Sequence, residues 1–407
     1  MSHLSVRKHR HFSWVGSRSP HGGKKVALLI PQYNEGSNPN FTRRLAYFQE
    51  LWDQHHAIVD VILIDDGSTD ESLQKMQLFA SGQALPLYVA SVFPNANKVG
   101  ALYTTILSLS HEFIILSDFD TDIMGLEKLL DVLSVLDKDS SLMGGYFRML
   151  PFEGRGAAFR FQQLEYALLR TLYKFHQKDQ SVPVMPGAGC CYRRDVLISI
   201  YRRHSGLRNG EDREATLLGL KMGYGAQYMN DIQTLTRPPL SFKALVKQRV
   251  RWYLGYLETL YKERTYYYEQ VRKRTPMGIR TVLDILTVGL ILSTGPLLLI
   301  TGLLHPLVAL GIIAGIYLSY TLGTLYLMIT SPRETGKISL QILSAILLFP
   351  LMKISLEYLA WIRAFIVFRK KRATYKQSEL TITDIYTYQQ VARETQESMD
   401  KRVLPVD

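Results

Sequence analysis

Apolar residues follow two regimes. Through the first two thirds of the chain they form short runs closed by polar turns; from about residue 281 to 368 they are nearly continuous. Residues 26–30 read Val-Ala-Leu-Leu-Ile, too short for a helix and without polar alternation, as expected of a strand buried on both faces. Residues 59–64, 86–92 and 113–116 repeat that pattern, and helical spacing over 41–52 and 98–109 separates the runs. Strand, polar turn and helix in repetition predict a doubly wound α/β sheet. Such sheets bind ligands beyond the carboxyl ends of their strands. Tyr33-Asn34-Glu35, Asp65-Asp66-Gly67-Ser68 and Asp118-Phe119-Asp120 all fall at such ends.

The next stretch is less regular. Residues 161–173 carry apolar positions at helical spacing, and a Gly-rich turn, Met185-Pro186-Gly187-Ala188-Gly189, precedes a short strand over 190–192. Asn209-Gly210 leads into Glu211-Asp212-Arg213 and a helical pattern to 220. A basic, aromatic helix over 242–261 holds Gln248-Arg249-Val250-Arg251-Trp252 and has the amphipathic make-up of an interfacial segment. Apolar runs over 283–304 and 306–329 each suit one membrane span. The run over 338–368 contains Pro350, Lys353 and Glu357 and suits either one long kinked span or a short hairpin. The expected division is therefore a basic, mobile segment over 1–23, a cytoplasmic catalytic domain over 24–240, interfacial helices over 241–280, three to four transmembrane helices over 281–368, and a basic and polar tail over 369–407.

Composition narrows the partners. The net charge is +12, but no nucleic-acid module is recognisable, so nucleic acid is excluded as a partner. Basic clusters at Arg272-Lys273-Arg274 and Arg369-Lys370-Lys371-Arg372 flank the apolar region, which points to membrane lipid. If the catalytic domain and the tail share the cytoplasmic side, the crossings must be even in number. Two adjacent cysteines, Cys190 and Cys191, form neither a disulfide framework nor a zinc site. No signal peptide is expected, since the basic start has no apolar stretch behind it.

The polar clusters carry distinct chemistry. Asp118 and Asp120 have the spacing to hold Mg2+ or Mn2+ beside a diphosphate, because hard cations prefer oxygen ligands; the same residues also suit a capped turn. Asp66 can accept hydrogen bonds from a base or ribose, with Tyr33 and Glu35 flanking the base and Lys98 at the phosphates. Asp212, beside Glu211 at a helix N-terminus, suits a general base acting on an acceptor hydroxyl. Gln248 and Arg251 would approach the diphosphate, with Arg249 a second guanidinium of phosphate-binding type, and Trp252 would lie under an acceptor sugar. Lys353 and Glu357, four apart on one helical face, are functional suspects or a simple pair.

In this order the clusters resemble the membrane-integrated, processive glycosyltransferases of family two, which include cellulose, chitin and hyaluronan synthases. Gly210-Glu211-Asp212-Arg213 is most similar to the chitooligosaccharide and hyaluronan branch. The resemblance covers about 26–260 and implies a GT-A type fold and a nucleotide-diphosphate-sugar donor, usually UDP-linked. It implies a metal at Asp118 and Asp120 and inversion by direct displacement with Asp212 as base. A metal-dependent hexosyltransferase in the bacterial inner (plasma) membrane would follow, extending a growing glycan or lipid-linked acceptor into a β-linked polysaccharide, alone or with an oligomeric or helper partner. Two departures from that group are that no transmembrane helix precedes the catalytic domain and that Ala373-Thr374-Tyr375-Lys376 is only faintly similar to the cellulose-synthase gating segment. They keep open a non-processive transferase adding one sugar to a lipid or short glycan.

Overall fold

The protein is described from a computed structural model covering residues 11–20, 23–175, 181–206, 209–330 and 340–375. The tail from 376 onward lies outside the described residues. Nine strands among the described residues form one sheet: β1 (His11–Trp14), β2 (Val26–Gln32), β3 (Val59–Asp65), β4 (Tyr88–Phe93), β5 (Phe113–Leu116), β6 (Thr121–Met124), β7 (Leu142–Pro151), β8 (Cys190–Arg193) and β9 (Gly225–Thr236). Their order is β1-β4-β3-β2-β5-β8-β7-β9-β6.

The apolar runs account for the centre. β2 and β3 are buried along almost their whole length, β4, β3, β2 and β5 run parallel, and helices cover them. The chain leaves β2 for β3 and β4 on one side and returns to β5 on the other, so the direction of winding reverses between β2 and β5. That reversal opens a crevice at the carboxyl ends. β8 runs antiparallel to β5 with Cys190 opposite Leu116, which brings the Gly-rich turn before β8 to the same edge as Asp118.

Two expectations change. The segment expected to be mobile supplies β1, which pairs antiparallel with β4 at the sheet's edge. The irregular second half supplies two long strands, β7 and β9, paired parallel to each other, while the antiparallel pairs of β8 with β5 and β7 and of β6 with β9 make the sheet mixed. Gly144-Gly145 interrupts the apolar run of β7. In β9 the register passes from Met229 opposite Phe147 to Gln233 opposite Arg148, so residues 230–232 bulge out and break the alternation.

The Asp118–Asp120 loop is braced from two sides. Arg44, on the helix Phe41–His55, donates Nε to the Phe119 carbonyl (2.7 Å) and Nη2 to the Thr121 carbonyl (2.8 Å), and pairs with Asp122. Arg237 meets Asp122 at 3.0 and 3.1 Å and donates to the Asp120 carbonyl at 2.9 Å. None of these three ionic side chains was singled out in the sequence.

By length and composition, three helices among the described residues are suited to cross a membrane: Pro276–Leu304, Pro306–Tyr326 and Ala345–Lys371. The first begins at a capped turn, where the Thr275 hydroxyl accepts from Gly278 N at 3.1 Å and Pro276 occupies the first turn. The third belongs to one continuous helix, Leu340–Tyr375, with Pro350 inside it, and not to a hairpin.

The brace generates a prediction. Asp122→Ala would leave Arg44, 5% exposed, without its ionic partner, and is expected to cost about 3 kcal/mol or more. Chemical denaturation followed by circular dichroism measures this; an unmoved midpoint would show that the brace is dispensable.

Candidate active site

Four of the anticipated side chains meet in one cleft. Lys98, in the first turn of the helix Asn97–Leu107, donates to Asp118 Oδ1 at 2.6 Å and lies 3.7 Å from Glu211 Oε1. Glu211 and Asp212 open the helix Glu211–Lys221. Lys98, Glu211 and Asp212 line the cleft, with Leu116, Cys190 and Tyr201 among the residues around them.

Asp212 is held by backbone. Its Oδ2 accepts from Gly187 N at 2.9 Å. A Cβ on Gly187 would sit 2.3 Å from Asp212 Oδ1, so only glycine lets the turn approach this closely. The Thr216 hydroxyl donates to the Asp212 carbonyl (2.7 Å) and accepts from Met185 N (2.8 Å), tying turn and helix together. The turn was visible in the sequence as Gly-rich; its contact with Asp212 was not.

Crowded carboxylates set the electrostatics. Burial disfavours the Lys98 ammonium, but Asp118, Asp212 and Glu211 together hold its pKa well above the usual lysine value. Burial, then repulsion from Asp212, pushes Glu211 up to about 7 against the pull of Lys98. Burial also raises Asp212; Lys98 opposes this and Asp118 adds to it. Asp120 is exposed at its tip, yet the surrounding protein and Asp118 push it up to about 6.

The nucleotide-side candidates form a neighbouring set of stitched loops. Asp66 is buried, and its carboxylate receives Asn95 Nδ2 (2.8 Å) and Ala96 N (2.6 Å), joining the loops after β3 and β4. Asn34 accepts from Thr69 N at 2.8 Å and donates its own N–H to Ser68 Oγ at 3.0 Å, joining the loops after β2 and β3. Tyr33 is exposed beside them, and Glu35 accepts from Asn38 at 2.9 Å.

Gln248, Arg251 and Trp252 lie on the helix Phe242–Lys262, which starts where the Ser241 hydroxyl accepts from Ala244 N (3.3 Å). This helix docks beside the cleft through glycine: a Cβ on Gly255 would fall 2.6 Å from Gly210 Cα. Gly210, at φ +66°, immediately precedes Glu211. Arg251 and Trp252 are exposed. Arg249 is not available to a phosphate as expected: it is 1% exposed, paired with Glu165, and 3.8 Å over the Trp252 ring.

Among the described residues no cluster of three or more His, Cys, Asp or Glu side chains is placed to hold a metal. Asp118 and Asp120 supply two hard oxygen donors on a braced loop, where Asp118 adds to the burial that raises Asp120. This fits a Mg2+ or Mn2+ ion completed by water and phosphate oxygens rather than a closed protein cage.

The protein-family model described as glycosyltransferase like family 2 matches residues 23–255. No curated protein matches the chain in sequence. Among solved structures it is similar to the mannosyltransferase PcManGT from Pyrobaculum calidifontis in complex with GDP-Man and Mn2+, at 16% identity over 88% of this chain and 90% of that one, with a TM-score of 0.47. It is also similar to S. aureus TarS 1-349, at 18% identity over 56% and 65% of the chains, with a TM-score of 0.38. A third is the glucosyl-3-phosphoglycerate synthase from Mycobacterium tuberculosis, in complex with Mn2+, UDP-glucose and phosphoglyceric acid, at 17% identity over 58% and 79%, with a TM-score of 0.36. The family match spans more than half of the chain and takes in every polar cluster from Tyr33 to Trp252, so the chain belongs to glycosyltransferase like family 2.

Proposed function

We propose that the protein is a membrane-bound inverting glycosyltransferase that takes a nucleotide-diphosphate sugar, UDP-linked, and builds a β-linked polysaccharide. The observation that carries this reading is the meeting of Lys98, Asp118, Glu211 and Asp212 in one cleft at the sheet's winding reversal. The base and ribose would lie against Tyr33, Glu35 and Asp66, the last also fixing the loop it touches. Lys98, Gln248 and Arg251 would neutralise the diphosphate. Asp118 and Asp120 would hold a divalent ion, which when bound offsets charge on the leaving nucleotide diphosphate. Asp212 would take the proton from an acceptor hydroxyl. Its carboxylate, oriented by the Gly187 N–H, supports that role, and its raised pKa makes it a stronger base than an ordinary aspartate. Glu211 would tune it from the adjacent position, and Trp252 would support the acceptor ring.

The proposal places the enzyme in the bacterial inner membrane with its catalytic domain cytoplasmic. Two crossings, by Pro276–Leu304 and Pro306–Tyr326, would return the chain to the cytoplasmic side, with the third apolar helix packed against the cytoplasmic helices.

A panel of radiolabelled nucleotide sugars, with and without Mn2+, tests the activity on the full chain. A ladder of products means polymer; a single addition means transfer of one sugar to a lipid or short glycan. Asp212→Asn should lower turnover by a factor on the order of 10^2–10^4 while donor binding survives; turnover that persists would remove Asp212 as base.

The pH profile carries a sign. The acting carboxylates must be ionised, so transfer should fall as pH drops through about 7, where Glu211 gains a proton. A profile flat across that range would overturn the assignment.

Stability moves the other way. The folded state binds the Glu211 proton more tightly than the unfolded chain, so this group's contribution falls as pH rises from the ordinary glutamate range through about 7. Glu211→Gln should therefore stabilise the protein at about pH 8 by on the order of 1–3 kcal/mol, and hardly at all near pH 4. Denaturation at both pH values checks this.

A further inference from the structure

Glu165, Lys353 and Glu357 are buried or largely buried ions that the reaction proposed above leaves without a task. Glu165 lies on the helix Ala157–Phe175. One of its oxygens pairs with Arg249 and the other accepts from Lys353 Nζ at 2.9 Å. Lys353 also lies 2.6 Å from Glu357 Oε1, and the second Glu357 oxygen accepts the Tyr253 hydroxyl. Tyr253 stacks on Trp361 of the same apolar helix, with ring centroids 4.2 Å apart and planes within 2°. Arg249 ends the series: it donates Nη1 to Gln248 Oε1 at 2.9 Å and lies over Trp252.

Contacts therefore run without a break from the third apolar helix to the two side chains that carry the acceptor and diphosphate end of the site. Two acids and two bases alternate along them, so each charge is compensated only while the others stay in place. Such networks contribute little net stability against an apolar replacement, but they select one arrangement. Arg249 covers one face of Trp252, yet the ring remains 42% exposed. Its orientation thus depends on a guanidinium fixed from behind.

We infer that Glu165, Lys353 and Glu357 are positioning residues that set the orientation of Trp252 and Gln248 from the third apolar helix. The functional part of this inference rests on the reading of Trp252 as the acceptor platform. Lys353 draws Glu165 toward the apolar helix, and Glu165 fixes Arg249. Arg249 in turn holds the Trp252 ring and the Gln248 amide. A shift of that helix would reach the site through these bonds before it disturbed the sheet.

The test uses the full chain in phosphatidylcholine nanodiscs, labelled with 5-fluorotryptophan. The sequence holds four tryptophans, at 14, 52, 252 and 361, and Trp252→Phe assigns the resonance of interest. Lys353→Met should shift and broaden the Trp252 fluorine resonance and leave those of Trp14 and Trp52 in place; Lys353→Arg should restore it. Transfer of the panel sugar should fall roughly fivefold or more in Lys353→Met and return to within about twofold in Lys353→Arg. If Lys353→Met also loses the Trp14 and Trp52 resonances, the protein has unfolded, and the near-isosteric Glu165→Gln then carries the same expectation. A Trp252 resonance unmoved by a folded variant overturns the relay while leaving the proposed function intact. Full transfer by Trp252→Ala instead removes the acceptor reading, and with it the relay's role.

Discussion

A single ammonium group stands among more carboxylates than it can neutralise. Lys98 touches Asp118 and lies near Glu211, with Asp212 close enough to bias it and Asp120 two residues along the same loop. In water such charges would interact weakly and be screened beyond about 8–10 Å; in a partly enclosed cleft they are screened far less. Burial first, and then repulsion from neighbouring acids, makes these groups hold protons more tightly, so Glu211 reaches about 7 and Asp120 about 6. A diphosphate is itself an anion and would be repelled from this cluster unless cations came with it. The divalent ion proposed at Asp118 and Asp120 would relieve that repulsion and leave the Lys98 ammonium to meet the diphosphate.

This charge cluster persists because backbone geometry leaves the acids no escape. Asp212 is pinned by an N–H from a turn that approaches within the space of a missing Cβ at Gly187. The helix bearing Gln248, Arg251 and Trp252 meets the same segment where Gly255 faces Gly210. Two close approaches thus tie the acid pair to the sheet on one side and to the interfacial helix on the other. Arg44 and Arg237 do the equivalent for the Asp118–Asp120 loop, through carbonyls as much as through charge. Strain and repulsion at the cleft are tolerated because the surrounding core, from Val26 to Leu116, is buried nearly completely.

Local pattern revealed the part of this that is local. The runs at 26–30, 59–64 and 113–116 read as buried strands because their neighbours in sequence are turn formers. The clusters at their carboxyl ends read as a site because a doubly wound sheet brings such ends together. What stayed hidden depends on partners distant in sequence. Arg44 reaches Asp122 across 78 positions and Lys353 reaches Glu165 across 188, and no periodicity records either pairing. β9 was hidden for another reason: its bulge at residues 230–232 breaks the alternation that would have marked it. Arg249 was misread because one arginine in a basic helix resembles the next until burial separates them.

The third apolar helix shows how far hydropathy alone carries. By composition it matches the other two, yet none of the first helix's apolar window is buried in protein against 44% of the third's. Ile346, Phe349 and Leu356 pack with Phe161, Leu245 and Val246, and Trp361 and Ala364 pack with Leu257. Lys353 and Glu357 therefore meet protein rather than lipid, which removes most of the cost that ionisable groups bear inside a bilayer. A face occupied by the helix Phe242–Lys262 cannot also face acyl chains. On this argument the third helix would belong with the interfacial layer as much as with the membrane, its exposed face bearing Leu347, Leu351, Leu359 and Ile366. In the proposed topology the first two helices would form a hairpin, and the basic clusters at Arg272-Lys273-Arg274 and Arg369-Lys370-Lys371 would share one side, as positive charge flanking spans prefers.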